Sequence, residues 1–414
     1  DIAALITKMD QAAVEGAAFI ADGRPWNDAG ASDLDELAIV LASAAGMLRL
    51  LAAQGIGGEQ AARRLGIALS ADAEQFPTIA KFRAVRLLFG RLFEVAGFGI
   101  PLPKVHGETA WRMMAHREPT MNMIRATTAA FAAATGGADS ITVLSPLLDG
   151  EAFSNRMARN TQLILQEESS LYRAADPGAG SGAIEALTNG LAAAAWDRFT
   201  GIEAKGGLIA VVQSGAIQRA VAATREARLE QVSRRQIPLV GVNVNVDRAA
   251  VALDPDRIAR ESLGDEVEPL RATRLSERFE ALCRRSLGKD GGRQRVVLVN
   301  LAHATGDALA VVADAFAAGG FAVEVADGRD AERAVAPDAP IACILTEAGS
   351  AEAANRVGQA LRAAGARFVI AAGHHPEEPP SPPFDAVLSR DSDLIALFSE
   401  ALDRIAAAQK NGQS

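Results

Sequence analysis

Apolar positions along the chain follow two patterns, short continuous runs and longer stretches in which they recur every three or four residues. The short runs predict buried strands and the longer stretches predict amphipathic helices. In the first half, strands are predicted at 17–20, 67–69, 100–105 and 140–144, and helices at 34–51, 76–95, 121–134, 153–173 and 184–200. Ser32 is a predicted N-cap for the first long helix. Strands that alternate with helices predict a parallel sheet covered by helices.

Four strand-helix units are half of an eight-stranded (β/α)8 TIM barrel. Half a barrel would have two unpaired edges and an exposed inner face, which is unfavourable for a domain on its own. We therefore expect the other half of the barrel to come from additional sequence or from another chain.

The pattern changes twice after the predicted barrel half. Residues 203–290 interleave arginines with acidic residues, which is typical of solvated, ion-paired helix faces and predicts a helical linker. Further strands are then predicted at 296–300, 321–325, 341–346, 368–371 and 384–388, and helices at 307–318, 351–364 and 394–408. Five strands with intervening helices predict a flavodoxin-like doubly wound domain. The predicted α/β organisation is therefore a barrel half at 1–202, a linker at 203–290 and a doubly wound domain at 291–414.

Composition and charge narrow the classes of function. The 414 residues include 42 basic and 51 acidic residues, and the formal charge of −9 argues against a general nucleic-acid-binding protein. Only Cys283 and Cys343 are present, which fits a reducing compartment better than a disulfide framework. No uncharged apolar stretch reaches the about 18 residues of a membrane span. We expect a cytoplasmic protein with neither nucleic acid nor membrane as a partner.

Several local motifs contain residues that are common in functional sites. The glycine-rich stretch 178–182 resembles a phosphate-binding loop, but a predicted helix precedes it, so we predict a turn between helices. The adjacent histidines at 374–375 have no third ligand at a suitable spacing, and no metal site is predicted. His106 and His116 lack a nucleophile motif and are predicted to line or support the barrel mouth. His303 follows the first strand of the last domain, where ligands of doubly wound sheets bind.

Five longer segments point to one family. Residues 27–31, 123–141, 159–168, 176–181 and 238–243 resemble the methylmalonyl-CoA mutase family. The resemblance implies an eight-stranded barrel that holds acyl-CoA along its axis, with a linker and a flavodoxin-like cobalamin domain after it. It also implies that this sequence corresponds to the carboxyl half of the barrel, the linker and the last domain.

The sequence departs from the family at the site where the substrate is activated. Active members carry a Tyr-His pair immediately before the segment that matches 26–31, and Arg24 and Pro25 occupy these positions here. Proline has no titratable group and cannot donate a hydrogen bond to a thioester carbonyl. The resemblance therefore implies that the histidine that polarises the substrate is lost, and no catalytic residue is predicted.

The sequence also departs from the family at the cobalamin site. Active members have a Lys and then Asp-x-His-x-x-Gly after the first strand of the last domain, and this His is the lower ligand of cobalt. An ungapped alignment places Val299, His303, Thr305 and Ala308 at the Lys, Asp, His and Gly positions. A gapped alignment keeps His303 and Gly306 at the His and Gly positions and places Leu301 at the Asp. The carboxylate that orients the histidine is lost in both.

Loss of both sites is similar to the small subunit of heterodimeric mutases, which keeps the folds while a homologous large subunit catalyses the reaction. The resemblance implies that this chain is a structural partner that binds no cofactor, with adenosylcobalamin in the large subunit. If acyl-CoA still enters the barrel, the polar candidates are Thr109, Asn160, Gln162 and Glu168. If cobalamin still binds, the candidates are His303 and Gly306.

Two alternatives remain open from the sequence. In the first alternative, the chain is an active acyl-CoA mutase of altered specificity that uses His303 as cobalt ligand. In the second, it is a degenerate mutase that acts as an adaptor in cobalamin loading.

Overall fold

The residues of the chain group into two compact α/β units. The structure, a computed structural model, describes residues 1–148, 150–248, 269–288, 291–301, 307–327, 340–346, 351–373 and 382–411. The first unit contains Asp1–Met114, Pro119–Ala227 and a segment that ends at Arg274; the second contains Ala115–Glu118, a stretch that begins at Arg228, and the chain from Leu275 onward. Residues of the predicted linker therefore occur in both units, and the three-part division stays a prediction.

The first unit is built on a four-stranded parallel sheet whose strands follow each other in chain order. Its strands are β1 Phe19–Asp22, β2 Leu65–Ala71, β3 Lys104–Thr109 and β4 Ser140–Thr142. Its helices are α1 Ile2–Gln11, α2 Arg24–Asp28, α3 Asp33–Ala53, α4 Gly58–Ala62, α5 Gln75–Ala96, α6 Met121–Thr135, α7 Ala152–Leu163, α8 Gly182–Glu203, α9 Gly207–Gln213 and most of α10 Ala216–Ser233. The alternation of strands and helices that the sequence predicts is confirmed here.

Two boundaries differ from the prediction for identifiable reasons. The third strand was predicted at 100–105 but runs from Lys104 to Thr109, because Pro101 and Pro103 lack the amide hydrogen that a sheet ladder needs. The helix predicted at 153–173 ends at Leu163 and continues as a π-helical turn, Ile164–Glu168. The shift of β3 matters because it places His106 inside the strand.

Helix α3 crosses the core of the first unit. Ser32 caps it as predicted, since its Oγ accepts a hydrogen bond from the Asp35 amide at 3.1 Å. Leu37, Ile39 and Leu41 of α3 are buried in one hydrophobic cluster with strand residues such as Ile67 and Val105. Within the described residues, α3 is the one helix long and apolar enough to cross a membrane, although 56% of its most apolar window is buried inside the unit. A core helix of a globular domain passes the same test.

The second unit contains a five-stranded parallel sheet with the strand order β6-β5-β7-β8-β9. The strands are β5 Arg295–Asn300, β6 Ala322–Asp327, β7 Ile341–Thr346, β8 Phe368–Gly373 and β9 Ala386–Leu388, and the helices are α11 Glu277–Arg285, α12 Asp307–Ala318, α13 Ala351–Ala363 and α14 Leu394–Asn411. Leu298 lies on one face in a cluster with Phe316 and Phe398, whereas Val299 lies on the other with Leu361. Both faces of this sheet are therefore covered.

Candidate functional site

The four-stranded sheet has one apolar face and one polar face. Strand register aligns the polar face in two rows, one of Asp22, Ala68, His106 and Ser140 and one of Ser70, Glu108 and Thr142. The alternate residues of the same strands, such as Ile67 and Val105, are buried in the core. Because side chains alternate along a strand, the polar face is the side opposite the helices. Its acidic members, Asp22 and Glu108, lie at the carboxyl ends of β1 and β3, where parallel α/β folds place their sites.

Arg24, the second residue after β1, is held between two carboxylates of this face. Its Nε and Nη2 donate to the two carboxylate oxygens of Asp22 at 2.9 and 2.8 Å, and its Nη1 donates to Glu108 Oε2 at 2.8 Å. The hydrogen bond to Asp22 and the charges of both acids outweigh partial burial and raise the pKa of Arg24. The guanidinium therefore stays charged and joins the ends of β1 and β3 across β2. We call Asp22, Arg24 and Glu108 the Arg24 clamp.

Pro25 is exposed and is the second residue of the five-residue helix α2. Proline fits the first turn of a helix because its missing amide hydrogen would have no intrahelical partner there. Its carbonyl accepts a hydrogen bond from the amide of Ala29 at 3.1 Å. Pro25 therefore contributes backbone shape and offers no proton donor to this face.

His106 forms a cross-strand hydrogen bond on the polar face, with its Nδ1 2.8 Å from Ser140 Oγ. Partial burial and then the positive charge of Arg24 lower the pKa of His106 below its ordinary value of 6.5. The imidazole is therefore neutral at pH 7 and adds no positive charge. His106 was predicted at the barrel mouth, but it lies in the middle of β3.

We expect a titration by NMR to give His106 a pKa below 6.5, and the Arg24→Met variant to raise it, because a nearby positive charge disfavours a second one. The pKa of His106 is lower in the folded state than in the unfolded state, so the neutral imidazole stabilises the fold at pH values above the unfolded-state pKa. This stabilisation is lost as the pH falls through the folded-state pKa. Arg91→Met on α5, which removes an exposed ion pair with Glu94, is the matched control and should leave the pKa unchanged. An unchanged value in Arg24→Met would contradict the assignment.

A buried ionic network supports the loop that carries Arg24. Lys81 Nζ lies 2.8 Å from Asp33 Oδ1 and 2.8 Å from Glu36 Oε2. Glu36 also accepts hydrogen bonds from Asn27 Nδ2 at 2.8 Å and from the amide of Ser70 at 2.7 Å. Burial disfavours the lysine charge, but the two carboxylates outweigh it and raise the pKa of Lys81. The network links β2, α3 and α5 to the segment 27–31.

Arg112 extends this buried network towards the loop after β3. Its Nε donates to Asp72 Oδ2 at 2.7 Å and its Nη1 donates to the carbonyl oxygen of Ala31 at 2.8 Å. Lys81 and Arg112 were not predicted from the sequence, because each lies among apolar residues. Asp22 and Glu108 were also missed, although the alternation of His106 and Glu108 along one strand was a usable signal.

The four polar substrate candidates do not gather on the polar face. Thr109 is buried on the opposite side of β3 from His106, and its Oγ1 accepts a hydrogen bond from the amide of Leu144 at 2.8 Å. Asn160 and Gln162 are partly buried on α7, and Glu168 is exposed on the π-helical turn. Within the described part of the chain, no hydrogen bond joins these three side chains to the Arg24 clamp.

The structure also describes the surroundings of the glycine-rich stretch 178–182 and of His116. The glycine-rich stretch 178–182 connects the 3-10 helix Leu171–Arg173 to α8, as predicted for a turn between helices. His116 groups with the second unit, where its amide donates to Glu280 Oε1 of α11 at 2.8 Å, and its place at a barrel mouth stays a prediction.

At the end of β5 in the second unit, the two residues on either side of Asn300 are aliphatic. Val299 is fully buried, in register with Ala326 and Ile344 of the neighbouring strands. Leu301 packs against the same apolar cluster, and its amide donates to the carbonyl of Leu345 at 3.0 Å. His303 and Gly306 lie outside the described residues.

Comparison with known proteins identifies the family. A sequence model of the family described as methylmalonyl-CoA mutase matches residues 2–319. The methylmalonyl-CoA mutase small subunit of Streptomyces virginiae is 36% identical over 94% of this chain, and the probable small subunit of Mycobacterium bovis is 40% identical over 69%. The small subunit of Propionibacterium freudenreichii subsp. shermanii is 35% identical over 54%. The chain spans 65%, 46% and 36% of the lengths of these relatives, which is less than two thirds of each.

The matched segment covers the four-stranded sheet, the Arg24 clamp and the buried network beneath it. Because the match covers well over half of its residues, this chain belongs to the methylmalonyl-CoA mutase family.

Proposed function

We propose that this chain is a non-catalytic small subunit of adenosylcobalamin-dependent methylmalonyl-CoA mutase. Its partner would be a homologous large subunit that interconverts methylmalonyl-CoA and succinyl-CoA. The observation that carries the proposal is the Arg24 clamp, because Arg24 and Pro25 occupy the positions of the family's Tyr-His pair and Arg24 is engaged by two carboxylates. A group that is held in this way cannot polarise a thioester carbonyl as the missing histidine would.

The order of strands supports a specific fold for each unit. Four parallel strands in chain order, with helices on one face, are what the carboxyl half of a TIM barrel would present. The order β6-β5-β7-β8-β9 is the order of flavodoxin-like doubly wound sheets. We assign the first unit as a barrel half and the second as a degenerate cobalamin-binding-type domain, and we place the protein in the cytoplasm.

The described residues at the end of β5 do not fit a cobalamin lower-ligand site. Val299, at the position of the family's Lys, is buried among aliphatic side chains. Leu301, at the position of the family's Asp in the gapped alignment, packs in the same cluster and cannot accept the imidazole proton that fixes the ligand's tautomer. This misfit supports a chain without bound cofactor, with adenosylcobalamin in the large subunit.

The test is co-expression of this chain with a family large subunit that retains both motifs, and then purification through a tag on either subunit. We expect a stoichiometric complex with mutase activity, and no activity from this chain alone. Titration of this chain with cobalamin should leave the absorbance spectrum of the cofactor unchanged. A spectrum of histidine-ligated cobalt that is lost in His303→Asn would instead support the active-mutase alternative. Retention of a nucleotide-hydrolysing loading protein in place of the large subunit would support the adaptor alternative.

A further inference from the structure

The polar face of the first unit is closed over its middle strand. Ala68 and Ser70 project from β2 on the same face as Asp22, His106 and Glu108, and they are only 1% and 2% exposed. Both side chains are too short to reach past their neighbours. Ala68 lies between Asp22 and His106, Ser70 lies beside Glu108, and the guanidinium of Arg24 joins Asp22 to Glu108 across β2. A ligand must therefore displace the Arg24 clamp to reach the centre of this face.

The charges on this face are also unfavourable for an anion. Asp22 and Glu108 carry two negative charges against one positive charge on Arg24, and His106 is neutral at pH 7. Lys104, at the amino end of β3, is paired with Asp139 at 2.9 Å. An acyl-CoA brings phosphates, and a malonyl-type acyl group adds a carboxylate, so binding would have to offset the separation of Arg24 from its acids.

We infer that the Arg24 clamp determines specificity by excluding anionic acyl thioesters from the polar face of the first unit, because Asp22 and Glu108 accept three of the five N–H donors of the Arg24 guanidinium and offset its charge. This inference rests on the proposed function and adds a reason why the chain would not bind the substrate. Loss of the Tyr-His pair removes the chemistry, whereas the clamp prevents binding. Asp22 and Glu108 are thus as important for the exclusion as Arg24 itself.

The test removes the two acids and leaves the arginine. In the released variant, Asp22→Asn with Glu108→Gln, both replacements keep side-chain size while the negative charges disappear. Titration calorimetry with methylmalonyl-CoA should give no binding heat for the unaltered chain at about 1 mM ligand, and an affinity at least about tenfold above that limit for the released variant. The pKa of His106, followed by NMR, should rise on addition of the ligand in the released variant only, because a bound anion stabilises the imidazolium.

The matched control adds Arg24→Met to the released variant and should abolish both the binding heat and the shift in the pKa of His106. Circular dichroism and retention by the large subunit report whether each variant folds, and Glu108→Gln alone replaces the released variant if that variant does not. A folded released variant without gain in affinity would overturn the inference, as would binding by the unaltered chain that Arg24→Met removes. If the unaltered chain binds the thioester without turnover, only the exclusion fails, whereas turnover by this chain alone would refute the proposed function.

Discussion

Replacement of Lys81 by methionine should lower the free energy of unfolding by about 3–5 kcal/mol, the cost of removing one partner from a buried ion pair. Lys81 and Glu36 are both fully buried, and Glu36 is the acceptor for Lys81, Asn27 Nδ2 and the amide of Ser70. Methionine is similar in length and fills the space, so the loss comes from the uncompensated carboxylate. Chemical denaturation of the two proteins measures the difference.

The control for this prediction is Lys104→Met. Lys104 also forms an ion pair at 2.9 Å, but its side chain is 86% exposed. Exposed pairs contribute about 0–1 kcal/mol, so this replacement should have little effect. Equal losses of unfolding free energy in Lys81→Met and Lys104→Met would contradict the prediction that burial of Lys81 determines the size of the effect. Adding Glu36→Gln to Lys81→Met should recover part of the stability, because a neutral amide no longer needs a cation.

The same network has a defined pH dependence. Since the pKa of Lys81 is raised above its ordinary value of 10.5, the stabilising contribution is complete below that value and is lost as pH rises through the folded-state pKa. The difference in unfolding free energy between the unaltered chain and Lys81→Met should therefore be constant near neutrality and shrink in strongly alkaline solution.

The second large effect is expected for Gly30→Ala, with a loss of roughly 3 kcal/mol or more. Gly30 has a φ of +110°, and a Cβ there would overlap the Cβ of Arg225 and lie 3.1 Å from its Cα. The strained backbone costs about 1–3 kcal/mol and the overlap a similar amount. Relief would require α10 to move away from the segment 27–31, where Arg225 Nη1 donates to the carbonyl of Ala29 at 3.3 Å. Chemical denaturation of both proteins measures the loss, and an unchanged m-value would show that the change is one of stability.

Gly90→Ala is the matched control for the glycine prediction. Gly90 lies inside α5, where an added Cβ meets no atom within 4 Å. Alanine is the better helix former by about 1 kcal/mol, so this variant should be as stable as the unaltered chain or slightly more stable. Similar losses at Gly30 and Gly90 would contradict an origin in the backbone conformation and the contact with Arg225.

Regular patterns in the sequence were enough to predict the order of the strands and of the long helices between them, whereas the short helices α2 and α4 were not predicted. The Ser32 cap and the strand β5 depend on local signals, namely a polar residue before an apolar helix and a continuous aliphatic run. The start of β3 was not predictable from apolar content, since the apolar residues at 100–105 are interrupted by Pro101 and Pro103 and the strand itself carries polar residues on one face. Strand boundaries decide which side chains share a face, so this error concealed the row that contains His106.

The Arg24 clamp required information that is not local in sequence. Arg24 and Glu108 are 84 positions apart and meet only because β1 and β3 flank β2 in parallel register. The sequence identified Arg24 and Pro25 as departures from the family pattern, but not the acids that hold the arginine. Lys81 was not predicted because it lies among the apolar residues of an amphipathic helix, where a lysine is ordinarily assumed to extend to solvent.

The sequential order of the first sheet has a consequence for how the unit is assembled during synthesis. Each strand after β1 pairs with the strand that precedes it in the chain, so the sheet grows by one strand-helix unit at a time from the amino end. The paired residues of neighbouring strands are 34–46 positions apart, and non-local pairing of this kind forms slowly, so we expect each added strand to be a separate step. A ribosome-bound chain that has exposed β1, α3 and β2 already contains a pairing surface for β3, so arrested nascent chains of increasing length should acquire protease resistance in steps that match the strand-helix units.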